Sequence, residues 1–189
     1  MKTKFNTWIK IIPWVTGFLL STAGMFLGYN LGSDTASLLG GEPGIWARLS
    51  KGFVWGGIIA ALQWTFIRDV GIPTLRFIVA SGIGLAFGYP IGQTIQAILL
   101  YNWGLNLTGY WAAVIVFGLF LSLPQWWIFR RYLKRADIWI LFSVIGWILT
   151  GFSWINFGGN SGVESILYGI VTGPGLIWIE HLEKSKTKK

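Results

Sequence analysis

The sequence predicts an all-α integral membrane protein. The expected architecture is a bundle of six transmembrane helices, made of three parallel two-helix repeats in a pseudo-threefold arrangement within one domain spanning residues 1–189. Three observations lead there. The chain is 53% apolar and 17% aromatic but only 12% charged, with a mean hydropathy of +0.59, whereas soluble domains carry about 25% charged residues. That balance excludes a soluble globular chain and a disordered one. No Asp, Glu, Lys, Arg or His occurs in the 53 residues from Phe77 to Phe129. A pattern of Gln, Trp and Arg then recurs at a fixed offset.

The charge-free tract sets the span count. As a single helix it would run about 80 Å, against a hydrocarbon core of about 30 Å, so it folds back once. Gly and Asn cluster from Asn102 to Gly109, which places the turn there between a span from Phe77 to Tyr101 and another from Tyr110 to Phe129. Four further apolar stretches complete the set: Ile11 to Leu31, Gly52 to Ile67, Ile138 to Phe157 and Ser165 to Ile179. The second and sixth spans are short, and flanking Trp and Arg side chains supply the remainder by snorkelling. Pro13, Pro90, Pro124 and Pro174 fall within or at the ends of these spans, where neighbouring helices satisfy the freed carbonyls. Lys2 and Lys4 before an apolar run ending in Ser21-Thr22-Ala23 also suit a signal peptide. Against cleavage stands the recurrence of the following residues, Gly24 to Tyr29, in a later helix.

Charge sets the orientation. Of 15 basic residues, all but Arg48 and Lys51 fall on one side when the six spans alternate. This positive-inside asymmetry puts both termini in the cytoplasm, in a bacterial inner membrane or, for a cyanobacterial chain, a thylakoid membrane. The net charge of +8 lies in short clusters between apolar runs rather than on one folded face, so no nucleic-acid partner is expected.

The repeat is legible without gaps. Gln63-Trp64 with Arg68 and Gln125-Trp126 with Arg130 stand 62 residues apart, and the same offset pairs Gly56 with Gly118, Ser81 with Ser143 and Gly84 with Gly146. The first helix joins in: Ser21, Gly24, Gly28 and Tyr29 match Ser81, Gly84, Gly88 and Tyr89. Repeats of about 8–68, 76–131 and 138–184 follow, related by an axis along the membrane normal. In the last copy Ile177-Trp178 stands where Gln-Trp is expected, while an alternative register through Pro174 brings Glu180 to the Arg position. Over roughly Gly52 to Trp154, on Gln63, Trp64, Arg68, Gly84, Gln125, Trp126, Arg130, Arg131, Trp139 and Gly146, the chain resembles uncharacterised multi-pass membrane proteins of cyanobacteria and similar bacteria. In the first copy Asp69 replaces the second base. The resemblance implies an architecture and a bacterial membrane; no activity comes with it.

Small residues recur four apart, as in Gly24-Gly28-Gly32, Gly52-Gly56-Ala60, Ala80-Gly84-Gly88-Gly92 and Ser165-Gly169-Gly173. Such stripes let helix backbones approach closely; the functional alternative is grooves for a flat apolar ligand. Gln63 and Gln125 lie about 8 Å inside the inner interface. They serve either as interhelical glue, with Ser81 or Ser143 as partners, or as polar contacts of a cavity. Gln93 and Gln96, with Thr94, form a second polar group toward the outer end of the third helix. Arg68, Arg130, Arg131, Lys134 and Arg135 are topogenic and suit anionic lipid headgroups. Trp8, Trp14, Trp64, Trp126, Trp127, Trp139 and Trp178 read as interface belts, and Trp55, Trp147 and Trp154 as deeper core or stacking residues.

No cysteine is present and only one histidine, so thiol chemistry and cysteine metal sites are excluded. Glu180 and His181 point about 100° apart on a helix and do not form a dyad. Neither a catalytic motif nor a carboxylate within the six spans is visible. The expectation is a non-catalytic membrane protein without a cofactor. It would be an accessory or assembly component of a membrane complex, partnered by lipids and other membrane subunits, or a binder of an apolar ligand such as a lipid, quinone or pigment. The alternative is a passive transporter or channel for a small neutral solute.

Overall fold

The computed structural model describes residues 2–41, 44–68, 71–157 and 161–184, with side chains at 12–41, 44–68, 71–157, 161–179 and 181. Trp8, Glu180 and the basic tail from Lys184 to Lys189 therefore lie outside the described side chains. Six helices follow in order: α1 (Lys2–Leu38), α2 (Ile45–Ile67), α3 (Thr74–Trp103), α4 (Asn106–Phe129), α5 (Asp137–Phe157) and α6 (Ser161–Lys184). Five contain stretches long and apolar enough to cross a membrane, α1 from Ile12 and α6 as far as Ile179. The helix outside that group is α2, whose apolar run is diluted by Arg48, Lys51 and Gln63; the six expected spans are met in helix number and, by apolar length, in five.

Several boundaries differ from expectation, among them the start of α2, at Ile45 rather than Gly52. The anticipated turn from Asn102 to Gly109 contracts to Gly104-Leu105. Gly104 adopts φ 66°, and the amides of Gly104 and Leu105 bond the carbonyls of Leu100 and Leu99 at 2.9 Å each, a Schellman-type closure that lets α4 restart at Asn106. α1 continues beyond Leu31 to Leu38, because the hydroxyls of Ser33, Thr35 and Ser37 bond carbonyls four residues earlier and so stay compatible with the helix. α6 begins at Ser161 rather than Ser165, which takes Glu164 into its first turn.

Each helix packs against the next and α6 packs against α1, closing a ring, with a weaker contact between α2 and α6 across it. Glycines set the register. A Cβ on Gly28 would meet Trp55 and one on Gly32 would meet Lys51, so α1 and α2 run antiparallel. The same opposed stepping joins Gly52 to Leu85 and Gly56 to Ser81, then Gly88 to Phe120 and Gly92 to Phe117, then Gly118 to Val144 and Gly151 to Val114. Gly169 against Phe18 and Thr22, with Gly173 against Gly17, closes the ring. The recurrent small residues thus lie at helix crossings, where a side chain would hold the backbones apart.

The exterior is apolar: Leu19, Phe26, Ile83, Phe87, Ile91, Leu141, Phe152 and Ile170 are all exposed. The interior holds polar groups, including Ser21, Gln63, Ser81, Gln125 and Ser143, each at 0% exposure. An apolar exterior on that scale belongs to a chain solvated by lipid.

Candidate functional site

Each helix places at least one polar residue on the stripe that faces the ring's interior, among them Ser21, Gln63, Ser81, Gln125, Ser143 and Thr172, all at 0% exposure. In the half nearer the termini, α2 contributes Gln63, α3 Ser81, α4 Gln125, α5 Trp139 and α6 Tyr168. Gln125 Nε2 donates to Ser81 Oγ at 3.0 Å and to Gln63 Oε1 at 3.4 Å. Trp139 Nε1 donates to Gln125 Oε1 at 2.6 Å, and Gln63 Nε2 reaches the Tyr168 hydroxyl at 3.5 Å. Ser81 also donates to the Phe77 carbonyl at 2.7 Å. Ser143 joins the network through the Tyr168 hydroxyl and lies within hydrogen-bond distance of the Gly118 carbonyl, at 3.4 Å. Amides in a low-dielectric interior need such partners. Trp139, expected in an interface belt, is fully buried, because its N–H completes the Gln125 amide.

Above the network lies a layer of edge-to-face rings. Trp147 packs against Trp55 at 5.1 Å, Phe117 at 5.4 Å and Tyr168 at 5.9 Å between centroids. Trp55 also meets Tyr29 at 5.1 Å and Tyr89 at 6.0 Å. Trp55 and Trp147 belong to this core. Trp154 is instead 48% exposed and stacks on Tyr110 at 4.8 Å.

Beyond the layer, toward the end opposite the termini, a cavity of about 280 Å³ is open in the ring. Trp55, Phe117 and Trp147 form its floor, and Tyr29, Tyr89, Tyr110 and Trp154 stand in its walls. Gln93 and Gln96 line it as well, and Gln93 Nε2 donates to the Tyr89 hydroxyl at 2.8 Å. Two ionisable residues complete the lining: Lys51, 6% exposed, and Glu164, 9% exposed. The Lys51 ammonium lies 4.7 Å from the ring centre of Tyr29 and 5.0 Å from that of Tyr89, a cation–π arrangement that offsets part of its desolvation. Glu164 Oε1 is buried with no hydrogen-bond partner, a costly state for a carboxylate oxygen.

Sequence reasoning passed over both residues, counting Lys51 as an outer-loop charge and ending the sixth span short of Glu164. Helical spacing carried the signal. Lys51 continues the buried 55, 59, 63 stripe one turn outward, and Glu164 stands four residues before Tyr168. The expectation of no carboxylate within the spans is corrected at this point, since Glu164 belongs to the apolar stretch Ser161–Ile179.

A second hollow, of about 470 Å³, lies on the outer surface of α3 and α4 at the end bearing the termini. Pro73, Leu75, Val79, Ala80, Ile83, Trp127 and Ile128 make it apolar, and Arg76, Arg131 and Tyr132 bring polar groups to it. Of the five headgroup candidates only Arg131 lines this groove. Arg130 instead stacks on Trp127, with its guanidinium carbon 3.7 Å from the ring centre. Arg68, Lys134 and Arg135 are exposed at the same end of the bundle.

Comparisons of the chain with protein-family models, with curated proteins and with solved structures find no match.

Proposed function

We propose that the protein is a non-catalytic multi-pass membrane protein that binds lipid, serving as an accessory or assembly component of a membrane complex. The observation that carries this reading is the α3–α4 groove: an apolar trough on the lipid-facing surface with Arg76 and Arg131 on it. Apolar walls suit an acyl chain, and two guanidinium groups suit an anionic headgroup, each worth about 1 kcal/mol near the membrane surface. The basic asymmetry supports cytoplasmic termini in a bacterial plasma membrane or a thylakoid membrane. The hydrogen-bonded glutamines and the aromatic layer favour a packed interior over an axial route for a neutral solute.

The three hairpins read as copies of one unit. Trp55-Gly56, Phe117-Gly118 and Tyr168-Gly169 occupy corresponding places on α2, α4 and α6, each glycine packing on the odd-numbered helix of the next hairpin around the ring. On this register Leu176 takes the glutamine position in the last copy, and the sequence resemblance to cyanobacterial multi-pass proteins fits a repeat of this kind.

The test is native mass spectrometry of the protein released from nanodiscs of mixed phosphatidylglycerol and phosphatidylcholine. Retention of phosphatidylglycerol above its share of the bilayer is expected. Release without lipid, or with both lipids in bilayer proportion, would count against the reading.

A further inference from the structure

The α3–α4 groove has a polar end whose chemistry is one-sided. Leu75, Val79 and Ile83 follow at four-residue spacing, which lays them along one face of α3, and all three are exposed in the groove. At the end bearing the termini this trough reaches Arg76, in the first turn of α3, and Arg131, just past the end of α4. Its α4 wall includes Trp127, whose ring is covered by the Arg130 guanidinium at 3.7 Å. Among the described residues lining it there is no carboxylate, carboxamide or aliphatic hydroxyl. Guanidinium and indole N–H groups donate hydrogen bonds and accept none, so the phenol of Tyr132 is the one side-chain acceptor in this lining.

Resting on the reading of this groove as a lipid site, we propose that it selects among anionic lipids for a bare phosphomonoester headgroup, as in phosphatidate. Charge favours that headgroup, because both guanidiniums attract every negative charge placed between them. A phosphodiester brings one such charge, and a phosphomonoester about −1.5 to −2 at neutral pH. Geometry favours it too. A guanidinium fork takes two oxygens side by side, so the two unesterified oxygens of a diester fill one fork, while the three of a monoester can serve both. The headgroup substituent gives a third reason: the hydroxyls of phosphatidylglycerol and the ammonium of phosphatidylethanolamine are donors that would face a lining of donors. Cardiolipin carries its charges on two separate diesters with four acyl chains, against the single trough formed here. A soluble phosphomonoester has no chain to cover Leu75, Val79 and Ile83.

The test uses the full chain in phosphatidylcholine nanodiscs holding equimolar phosphatidate and phosphatidylglycerol of matched acyl chains, read by native mass spectrometry. Phosphatidate should be retained about fivefold or more above phosphatidylglycerol, from the added charge acting on two basic residues. Arg76→Gln and Arg131→Gln should each lower that ratio by about twofold or more, and the double variant should bring it to parity. Both side chains are exposed, so the melting temperature should stay unchanged. Equal retention of the two lipids above phosphatidylcholine, a ratio that survives in the double variant, or cardiolipin retained as well as phosphatidate in a third arm would overturn the selection and leave the lipid reading standing. Release with neither anionic lipid would overturn both. Glycerol 3-phosphate, the same phosphomonoester without acyl chains, should leave the retained phosphatidate in place at equal concentration; displacement by it would overturn the assignment to a lipid.

Discussion

The indole N–H of Trp139 donates to the Gln125 side-chain carbonyl at 2.6 Å, tying α5 to α4 where both residues are fully buried. Through its amide nitrogen the same glutamine holds Ser81 on α3 and Gln63 on α2. One side chain therefore links four helices.

Gln125→Leu removes all of these bonds and strands the Trp139 donor. A destabilisation of about 1–3 kcal/mol is expected, read as a lowered melting temperature in detergent. Gln63→Leu should cost less, because its bonds are longer, at 3.4 and 3.5 Å. Equal effects at the two positions would contradict the ranking.

Gly56 and Gly57 are adjacent but should answer oppositely to alanine. A Cβ on Gly56 would lie 2.5 Å from the Ser81 carbonyl oxygen and 2.9 Å from Leu85, whereas one on Gly57 meets only Ile78, at 3.8 Å. Gly56→Ala should therefore force α2 and α3 apart and lower the melting temperature. Gly57→Ala should raise stability by about 0.5–1 kcal/mol through helix propensity.

Gly104→Ala places a side chain at φ 66°, a left-handed conformation that costs non-glycine residues about 1–2 kcal/mol. Open space surrounds the position, so the loss should come from backbone strain alone. Replacement by Asn, which tolerates this conformation, should recover part of the stability in the same melting assay.

Arg76→Gln and Arg131→Gln should each lower phosphatidylglycerol retention by about fivefold, the equivalent of about 1 kcal/mol per basic residue. Arg135→Gln, at the same end but outside the groove, should leave retention unchanged. A loss of equal size at all three would indicate a diffuse basic surface in place of a groove.

Much of this molecule is legible in its residues. Phe77 to Phe129 has no charge and must turn back, and the pairs Gly24-Gly28, Gly52-Gly56, Gly84-Gly88 and Gly118-Ser122, each four residues apart, announce close helix crossings. A buried amide needs a partner, and the sequence offers Ser81 or Ser143 to Gln63 and Gln125 without choosing between them; the structure gives Gln125 to Ser81. Lys51 and Glu164 were harder to place. Each lies at the edge of an apolar run, where a charge ordinarily marks the water interface; only the arrangement of six helices shows that the two face one cavity. Trp139 was misplaced for a related reason, as a tryptophan at a helix end suits an interface equally well until Gln125 is seen opposite it.

The sequence by itself determined the solvent, the helical class and the small-residue seams, because composition and periodicity act through local hydration and backbone geometry that need no knowledge of distant contacts. Tertiary structure alone decided the closure of α6 on α1, the bonding of Gln63 to Tyr168 and the placing of Lys51 and Glu164 on one cavity. These depend on where residues over 100 positions apart arrive in space, which is set by the sum of the crossings around the ring.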